Sequence, residues 1–356
     1  MKLTCAICGH KSGNLVPHIE EVHADVGLAA YMEQHGGLDS VVHPTLRAEA
    51  AATAALKFTL LGVECSKCAV TEEFKSLVPE GSGDKYQFQE DITKDVIMDI
   101  NEKKPIMLIG HTGCGKTSLI DELAARYHAP LLRVNTNQQT TVSDFIGFWT
   151  VKGGETVWVD GALPHAMRNG LWLLVDEIDY AEPAILAALH AVLEPNGALV
   201  LKEKGNEIIT RHPNFRIFAT GNAVGQFSRF RHLYIGCNVM NAAFLNRWAA
   251  YIIPYLGEAQ EEKALLKAVP SMPERLAKEL VKIASQSRRA FEEETLSYPF
   301  STRALMDWAR GIVRHRALKA EAPVRAAQSV LFAKMSREDA VTLEGYIRRA
   351  LGARQE

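Results

Sequence analysis

The sequence of 356 residues is short of net charge: 40 Lys and Arg stand against 42 Asp and Glu, a formal −2 with the signs interspersed. That excludes a global electrostatic footprint for nucleic acid or an anionic membrane, so any such contact has to be local. No apolar run approaches the roughly 18 residues needed to cross a bilayer. The opening Met-Lys-Leu-Thr-Cys holds no apolar signal core. The expectation is a cytoplasmic protein with no membrane partner. Cysteine is also sparse, and four of the six fall into two Cys-x-x-Cys pairs. In a cytoplasmic chain that spacing points to metal or redox chemistry more than to a disulfide framework. The isolated Cys114 and Cys237 are assigned no chemistry. Apolar residues, in contrast, make up 47% of the chain, enough for a large core and two or three units.

Texture divides the chain. Residues 1–45 carry two cysteines and five of the twelve histidines, ending at a Gly36-Gly37 turn and a break at His43-Pro44. Residues 46–85 read as a connector: an alanine-rich helical stretch, Arg47 to Leu56, then Cys65-Ser-Lys-Cys68 and a loop from Pro79 to Asp84. From 86 to 256 short apolar runs alternate with helical periodicity, at Ile106–Ile109, Leu131–Val134, Leu171–Val175, Phe215–Thr220 and Tyr251–Pro254. Five buried strands with crossover helices predict an α/β fold with a mostly parallel sheet. Two β-rich stretches, around Gly153-Gly154 and Gly205-Asn206, read as inserted hairpins. Residues 257–356 are helical, with breaks at Pro270, Pro273, Pro299 and Pro323, and predict a separate all-α domain.

The chemistry concentrates at strand ends. Gly110-His111-Thr112-Gly113-Cys114-Gly115-Lys116-Thr117 follows the first strand and precedes a helix expected over Ser118–Tyr127. That is the context a phosphate-binding loop requires. Its backbone N–H groups, with Ser118 counted in the site, converge on the phosphates of ATP; Lys116 neutralises the β and γ oxygens and Thr117 ligates Mg²⁺. The strand Leu171–Val175 runs into Asp176 and Glu177. Adjacent acids need a cation or a proton, so Asp176 is expected to hold the magnesium shell and Glu177 to act as general base. Asp179 is expected to cap the helix that begins near Ala181–Pro183. Asn222 ends a further apolar strand, where its amide can sense the γ-phosphate and attacking water. Arg247 and Arg303 are candidates for the cationic charge that phosphoryl transfer needs at the transition state, with Ser301 capping the helix of Arg303.

This order of motifs over residues 86–350 resembles AAA+ ATPases, and the two hairpins resemble those of the helix-2-insert group. The wording Gly-His-Thr-Gly-Cys-Gly-Lys-Thr, Asp-Gly-Ala-Leu-Pro at 160–164, Ile-Phe-Ala-Thr-Gly-Asn at 217–222 and Asn-Arg-Trp at 246–248 is similar to MoxR-type ATPases. Among these it looks most like the small ATPase subunit of cobaltochelatase (CobS type) and its relatives, phage-borne ones included. The resemblance implies an AAA+ core with a helical lid, and a homo-oligomeric ring, usually a hexamer, in which Arg247 completes a neighbour's site. It also implies a partner, commonly one with a von Willebrand factor A domain. This chain's motifs contain no metal-insertion site, so it would be the motor only.

Near the N-terminus, Cys5-x2-Cys8-x9-His18-x4-His23 supplies two thiolates and two imidazoles suited to one tetrahedral Zn²⁺, with Leu15, Ile19 and Val22 as its small apolar face. Spacing and continuation resemble the prokaryotic Ros/MucR zinc finger, a family that binds DNA. Residues 1–50 hold three basic against six acidic side chains. Such a module lacks the basic face that phosphate neutralisation needs, which favours protein docking over DNA. Cys65 and Cys68 are half a metal site: shared with Cys5 and Cys8, completed elsewhere, or unligated. The leading expectation is an ATP-driven ring that remodels a protein partner. The alternatives are a DNA-associated motor recruited through the finger and a cobaltochelatase ATPase subunit.

Overall fold

The computed structural model describes residues 2–12, 14–26, 28–35, 56–137 and 139–352. The expected turn at Gly36-Gly37, the break at His43-Pro44 and the helix Arg47 to Leu56 lie outside the described residues, apart from Leu56, which stands in a turn. Contacts divide the chain into two units, one of residues 1–60 with 64–67 and one of 61–63 with 68–356.

In the larger unit five parallel strands form one sheet among the described residues: Ile106–Ile109 (β1), Leu131–Asn135 (β2), Trp172–Asp176 (β3), Arg216–Gly221 (β4) and Ala249–Ile252 (β5), in the order β5-β1-β4-β3-β2. Burial explains the order. Every residue of β1 and β3 is buried, as is β4 after its first residue. Such continuous apolar runs suit strands covered on both faces. The strands β2 and β5 alternate between buried or half-buried and exposed positions and lie at the edges. The fifth strand ends at Ile252 rather than Pro254, since its ladder to β1 pairs Ala249 with Ile106 and Ile252 with Ile109. Register brings the ends of β1, β4 and β3 together, because Gly221 is opposite Ile109 and Ala219 is opposite Val175. In open parallel sheets ligands bind at these carboxyl ends.

Both hairpins form. Gly147–Lys152 pairs antiparallel with Glu155–Asp160. The turn needs positive φ at both central positions, which Gly153 (64°) and Gly154 (86°) supply. Leu199–Leu201 pairs with Glu207–Ile209, and the Trp149 indole N–H donates to Glu203 O at 3.0 Å, tying one hairpin to the other. The connector contains more structure than a loop: strands Lys57–Leu60 and Val63–Ser66 and a 3-10 turn, Glu72–Leu77.

Beyond Gly257 the helices Glu258–Ala268, Glu274–Glu292, Thr302–Arg314, Ala322–Val330 and Arg337–Gly352 enclose their own core. Thr302–Arg314 buries Ala304, Leu305, Trp308, Ala309 and Ile312, one stripe at helical spacing. Pro323 starts a helix, at a position where its missing N–H costs nothing.

Phe218 sits fully buried at the centre of β4, its ring 5.0 Å from that of Trp172. We expect Phe218→Ala to lower the unfolding free energy by about 3–5 kcal/mol, measured by urea denaturation. A loss below about 1 kcal/mol would contradict this packing.

Candidate functional site

The loop after β1 is shaped by three glycines. A Cβ on Gly110 would lie 2.5 Å from Ile253 O. Gly113 and Gly115 adopt φ of 69° and 105°, the left-handed region that other side chains avoid. The helix that follows runs Lys116–Arg126, beginning two residues earlier than its sequence suggests, so Lys116 and Thr117 form its first turn. The loop wraps the Lys116 ammonium, which donates to Gly110 O at 2.7 Å, His111 O at 3.0 Å and Asn222 Oδ1 at 2.9 Å. Burial pushes the Lys116 pKa below that of a free lysine, against the nearby negative charges.

Asp176 and Glu177 leave β3 beside this loop. The Thr117 hydroxyl donates to Asp176 Oδ1 at 3.2 Å, Thr220 of β4 donates to the same oxygen, and Arg133 of β2 pairs with Oδ2. Thr220 also accepts the Glu177 N–H at 3.0 Å, while Thr136 donates to Glu177 O at 2.7 Å. These bonds hold Glu177 at φ 57°, an uncommon conformation for a non-glycine residue. Burial raises the Glu177 pKa, and the charges of Asp176 and Asp179 add to the shift.

Asp179 is not a helix cap. The helix Pro183–Leu193 has Glu182 at its N-cap and no side-chain capping bond. Instead Asp179 Oδ2 accepts the backbone N–H groups of Asn222 and Ala223, each at 2.9 Å, and the Cys237 thiol at 3.3 Å. Its negative charge, behind the dominant effect of burial, helps push that thiol up to about 12. The competing demand won because two buried N–H groups at a strand end need an acceptor more than an exposed helix end does.

The His111 side chain turns away from the phosphate cradle into an aromatic box, with its ring centroid 4.6 Å from Phe230, 5.0 Å from Phe227 and 5.3 Å from Phe291. Burial, with the Lys116 and Arg229 charges, lowers its pKa to about 4, so the ring is neutral near pH 7. Tyr234 Oη lies 3.1 Å from His111 Nδ1 and accepts the Thr112 N–H at 3.3 Å.

The two arginines separate. Arg303, on a helix capped by Ser301 as expected, lines a cavity of about 470 Å³ together with Gly113, Cys114, Gly115 and Ser118. Tyr86, Gln87, Ile92, Leu256 and Met306 line the same cavity. Arg247 lies elsewhere: it pairs with Glu194 and lines a second cavity with Arg211 and His212. It precedes β5, whereas the loop follows β1, so it stands about 15–20 Å along the sheet from the phosphate cradle.

In the smaller unit, antiparallel pairs Leu3–Thr4 and Lys11–Ser12 and the helix Val16–Val22 bring together Cys5, Cys8, His18 and His23. Their donor atoms all lie within 4.8 Å of one another, and His23 Nε2 is buried with no hydrogen-bond partner. That donor set fits a tetrahedral cation. Among the described residues it is the only such group of three or more, and neither Cys65 nor Cys68 belongs to it. Leu15 and Ile19 are fully buried with Cys5 and Tyr31, but Val22 is 59% exposed, and Tyr31 takes the place foreseen for it.

Sequence reasoning missed Thr220, Arg133, Thr136 and Tyr234, whose only signal was polarity near the end of an apolar strand or within a loop.

A phosphate-binding loop on β1, an acidic pair on β3 and a polar amide on β4 define a P-loop nucleotide hydrolase core. Residues 105–234 match the model of the AAA domain of the dynein-related subfamily, and residues 262–345 that of the CbbQ/NirQ/NorQ C-terminal region. The aerobic cobaltochelatase subunit CobS of Sinorhizobium sp is 31% identical over 233 residues, 63% of this chain and 70% of that protein. NorQ of Paracoccus denitrificans is 37% identical over 118 residues, 33% of this chain and 43% of that one. Midasin of Dictyostelium discoideum is 32% identical over 188 residues, 52% of this chain and 3% of midasin's length. Of solved structures, a mutant of Thermotoga maritima RuvB has a TM-score of 0.47 at 13% identity, over 71% of this chain and 73% of that one. The chain belongs to the MoxR-type AAA+ ATPases. It is an ATP hydrolase, a class that uses nucleotide and Mg²⁺ and whose members generally form rings that act with partner proteins. No described helix is long and apolar enough to cross a membrane.

Asp179→Ala strands two buried N–H groups, each costing about 1–3 kcal/mol, so we expect a loss of about 2–5 kcal/mol in urea unfolding. Asp179→Asn, whose carbonyl still accepts, should lose less. Equal losses in the two variants would show that the acceptor is not what matters.

Proposed function

We propose that this chain hydrolyses ATP as one subunit of a ring, using a site completed by a neighbouring subunit, and that the work is delivered to a protein partner. The observation that carries the reading is the separation of the two arginines. Arg303 lines the cavity of its own phosphate loop, and Arg247 stands at the other end of the sheet.

In this reading Gly110 to Ser118 cradle the triphosphate, with Lys116 exchanging its carbonyl and amide contacts for phosphate oxygens. His111 contributes its backbone, since its ring is held in the aromatic box. Thr117 and Asp176, already in contact, would hold Mg²⁺, which would supply positive charge to the triphosphate. Glu177 takes the proton of the attacking water. Its raised pKa brings it nearer the working pH, which favours proton transfer. Asn222 orients that water against the γ-phosphate. Arg303 in cis and the neighbour's Arg247 in trans meet the charge that develops on the transferred group.

The finger serves as an adaptor. Cys5, Cys8, His18 and His23 hold Zn²⁺, which organises a core of only a few apolar side chains. Its acidic balance favours a protein surface over DNA. By family resemblance the partner carries a von Willebrand factor A domain, and the likeness to CobS keeps metal insertion with added chelatase subunits a testable role.

Glu177→Gln should retain ATP binding and lose turnover by about 100-fold or more. Arg247→Ala should lose about 1000-fold. Mixing the two inactive proteins is the decisive measurement: a shared site restores about a quarter of the wild-type activity at equal ratio, whereas arginines acting only in cis restore none. The nucleotide-locked Glu177→Gln protein is also the bait for identifying the partner. Metal analysis should find one zinc per chain, lost in Cys5→Ser; wild-type zinc in that variant refutes the finger assignment.

A further inference from the structure

A buried ion pair in the lid has no role in the chemistry described above. Glu261, on the helix Glu258–Ala268, is fully buried, and Arg288, on Glu274–Glu292, is 8% exposed. The guanidinium meets both carboxylate oxygens, Nη1 to Oε2 at 2.8 Å and Nη2 to Oε1 at 2.7 Å, and its Nε donates to Phe300 O at 2.7 Å. Such a pair is a poor way merely to join two helices, because well-packed apolar side chains do that without the desolvation cost. What a bidentate pair adds is fixed geometry.

The groups it touches define that geometry. On one side the Thr302 hydroxyl donates to Glu261 Oε1 at 2.6 Å, and Arg288 holds Phe300 O, so the pair grips both neighbours of the N-cap Ser301. Arg303 is the next residue. On the other side the Arg288 guanidinium lies over the Tyr255 ring, 4.3 Å from its centroid, and the Tyr255 hydroxyl donates to Thr112 O at 3.2 Å. Thr112 and Gly113 belong to the phosphate loop. The loop also abuts the cap directly: a Cβ on Gly113 would fall 2.7 Å from Ser301 Cβ.

We propose that Tyr255, Arg288, Glu261 and Thr302 form a relay of positioning residues that couples the phosphate loop to the lid arginine Arg303. The inference rests on the assignment of Arg303 to the nucleotide site. A shift of the Thr112–Gly113 backbone on phosphate binding is passed to the start of the Arg303 helix by two routes, Gly113 against Ser301 and Tyr255 through the ion pair. The lid arginine is thereby set by the state of the loop.

The test is a double-mutant cycle on the full-length chain, with steady-state ATPase kinetics and melting temperature measured for each variant. Thr302→Val and Tyr255→Phe each remove one hydroxyl and leave the buried pair intact, while Thr302→Ser retains the hydroxyl. Each removal should lower kcat/KM by about fivefold or more, and Thr302→Ser should stay within about twofold of wild type. In an Arg303→Ala background Thr302→Val and Tyr255→Phe should cause no further loss, because the group they position is gone. Equal losses with and without Arg303 overturn the relay and leave the site assignment standing. Unchanged turnover in Arg303→Ala itself overturns both. Retained activity in both hydroxyl deletions, with Arg303→Ala impaired, also overturns the relay.

Discussion

The burial of one ammonium group constrains the rest of the nucleotide site. Lys116 is 7% exposed and, among the described residues, makes no ion pair; two loop carbonyls and the Asn222 amide oxygen are its partners. A buried cation satisfied only by neutral oxygens is costly unless those oxygens converge with little freedom. The loop therefore closes on Lys116. Gly110 can approach Ile253 O only without a Cβ, and Gly113 can meet Ser301 only in the same way. Asn222 must reach the ammonium from the end of β4, and its position depends on Asp179 gripping the adjacent N–H groups.

The three acids of the β3 end divide their duties by what surrounds each. Asp176 is engaged by Thr117, Thr220 and Arg133. Glu177 is presented by an unusual backbone conformation, and burial favours its protonated form. Asp179 gives one oxygen to the backbone just after β4. One run of sequence thus sets three acids in three different surroundings, and proximity in the chain does not distinguish them.

The loop is also held from segments outside the sheet. Tyr234 and Tyr255 meet the N–H and C=O of the same residue, Thr112, from segments more than a hundred positions away. The neutral His111 ring packs against Phe291 of the lid helix Glu274–Glu292. The phosphate loop is thus held on both sides of one residue, through two successive peptide groups.

Much of this was legible from one dimension. The five strands follow from short apolar runs, because strands covered on both faces need no alternation; the hairpins follow from glycines that alone accept the turn. The phosphate loop, Asp176, Glu177 and Asn222 are visible because each stands where an apolar strand stops, and the Cys5, Cys8, His18 and His23 cluster because its spacing is that of metal ligands. Tertiary structure decided what depends on partners distant in sequence. The role of Asp179 was settled by N–H groups on β4, 43 and 44 positions on. The exposure of Val22 was settled by Tyr31 filling the core around Cys5, Leu15 and Ile19. The Glu261–Arg288 pair has no local signature, since its two halves sit on separate helices 27 residues apart and gain their meaning only where those helices meet. Local chemistry determined that this chain is a P-loop ATPase. Packing alone determined how the loop is held, and what it touches.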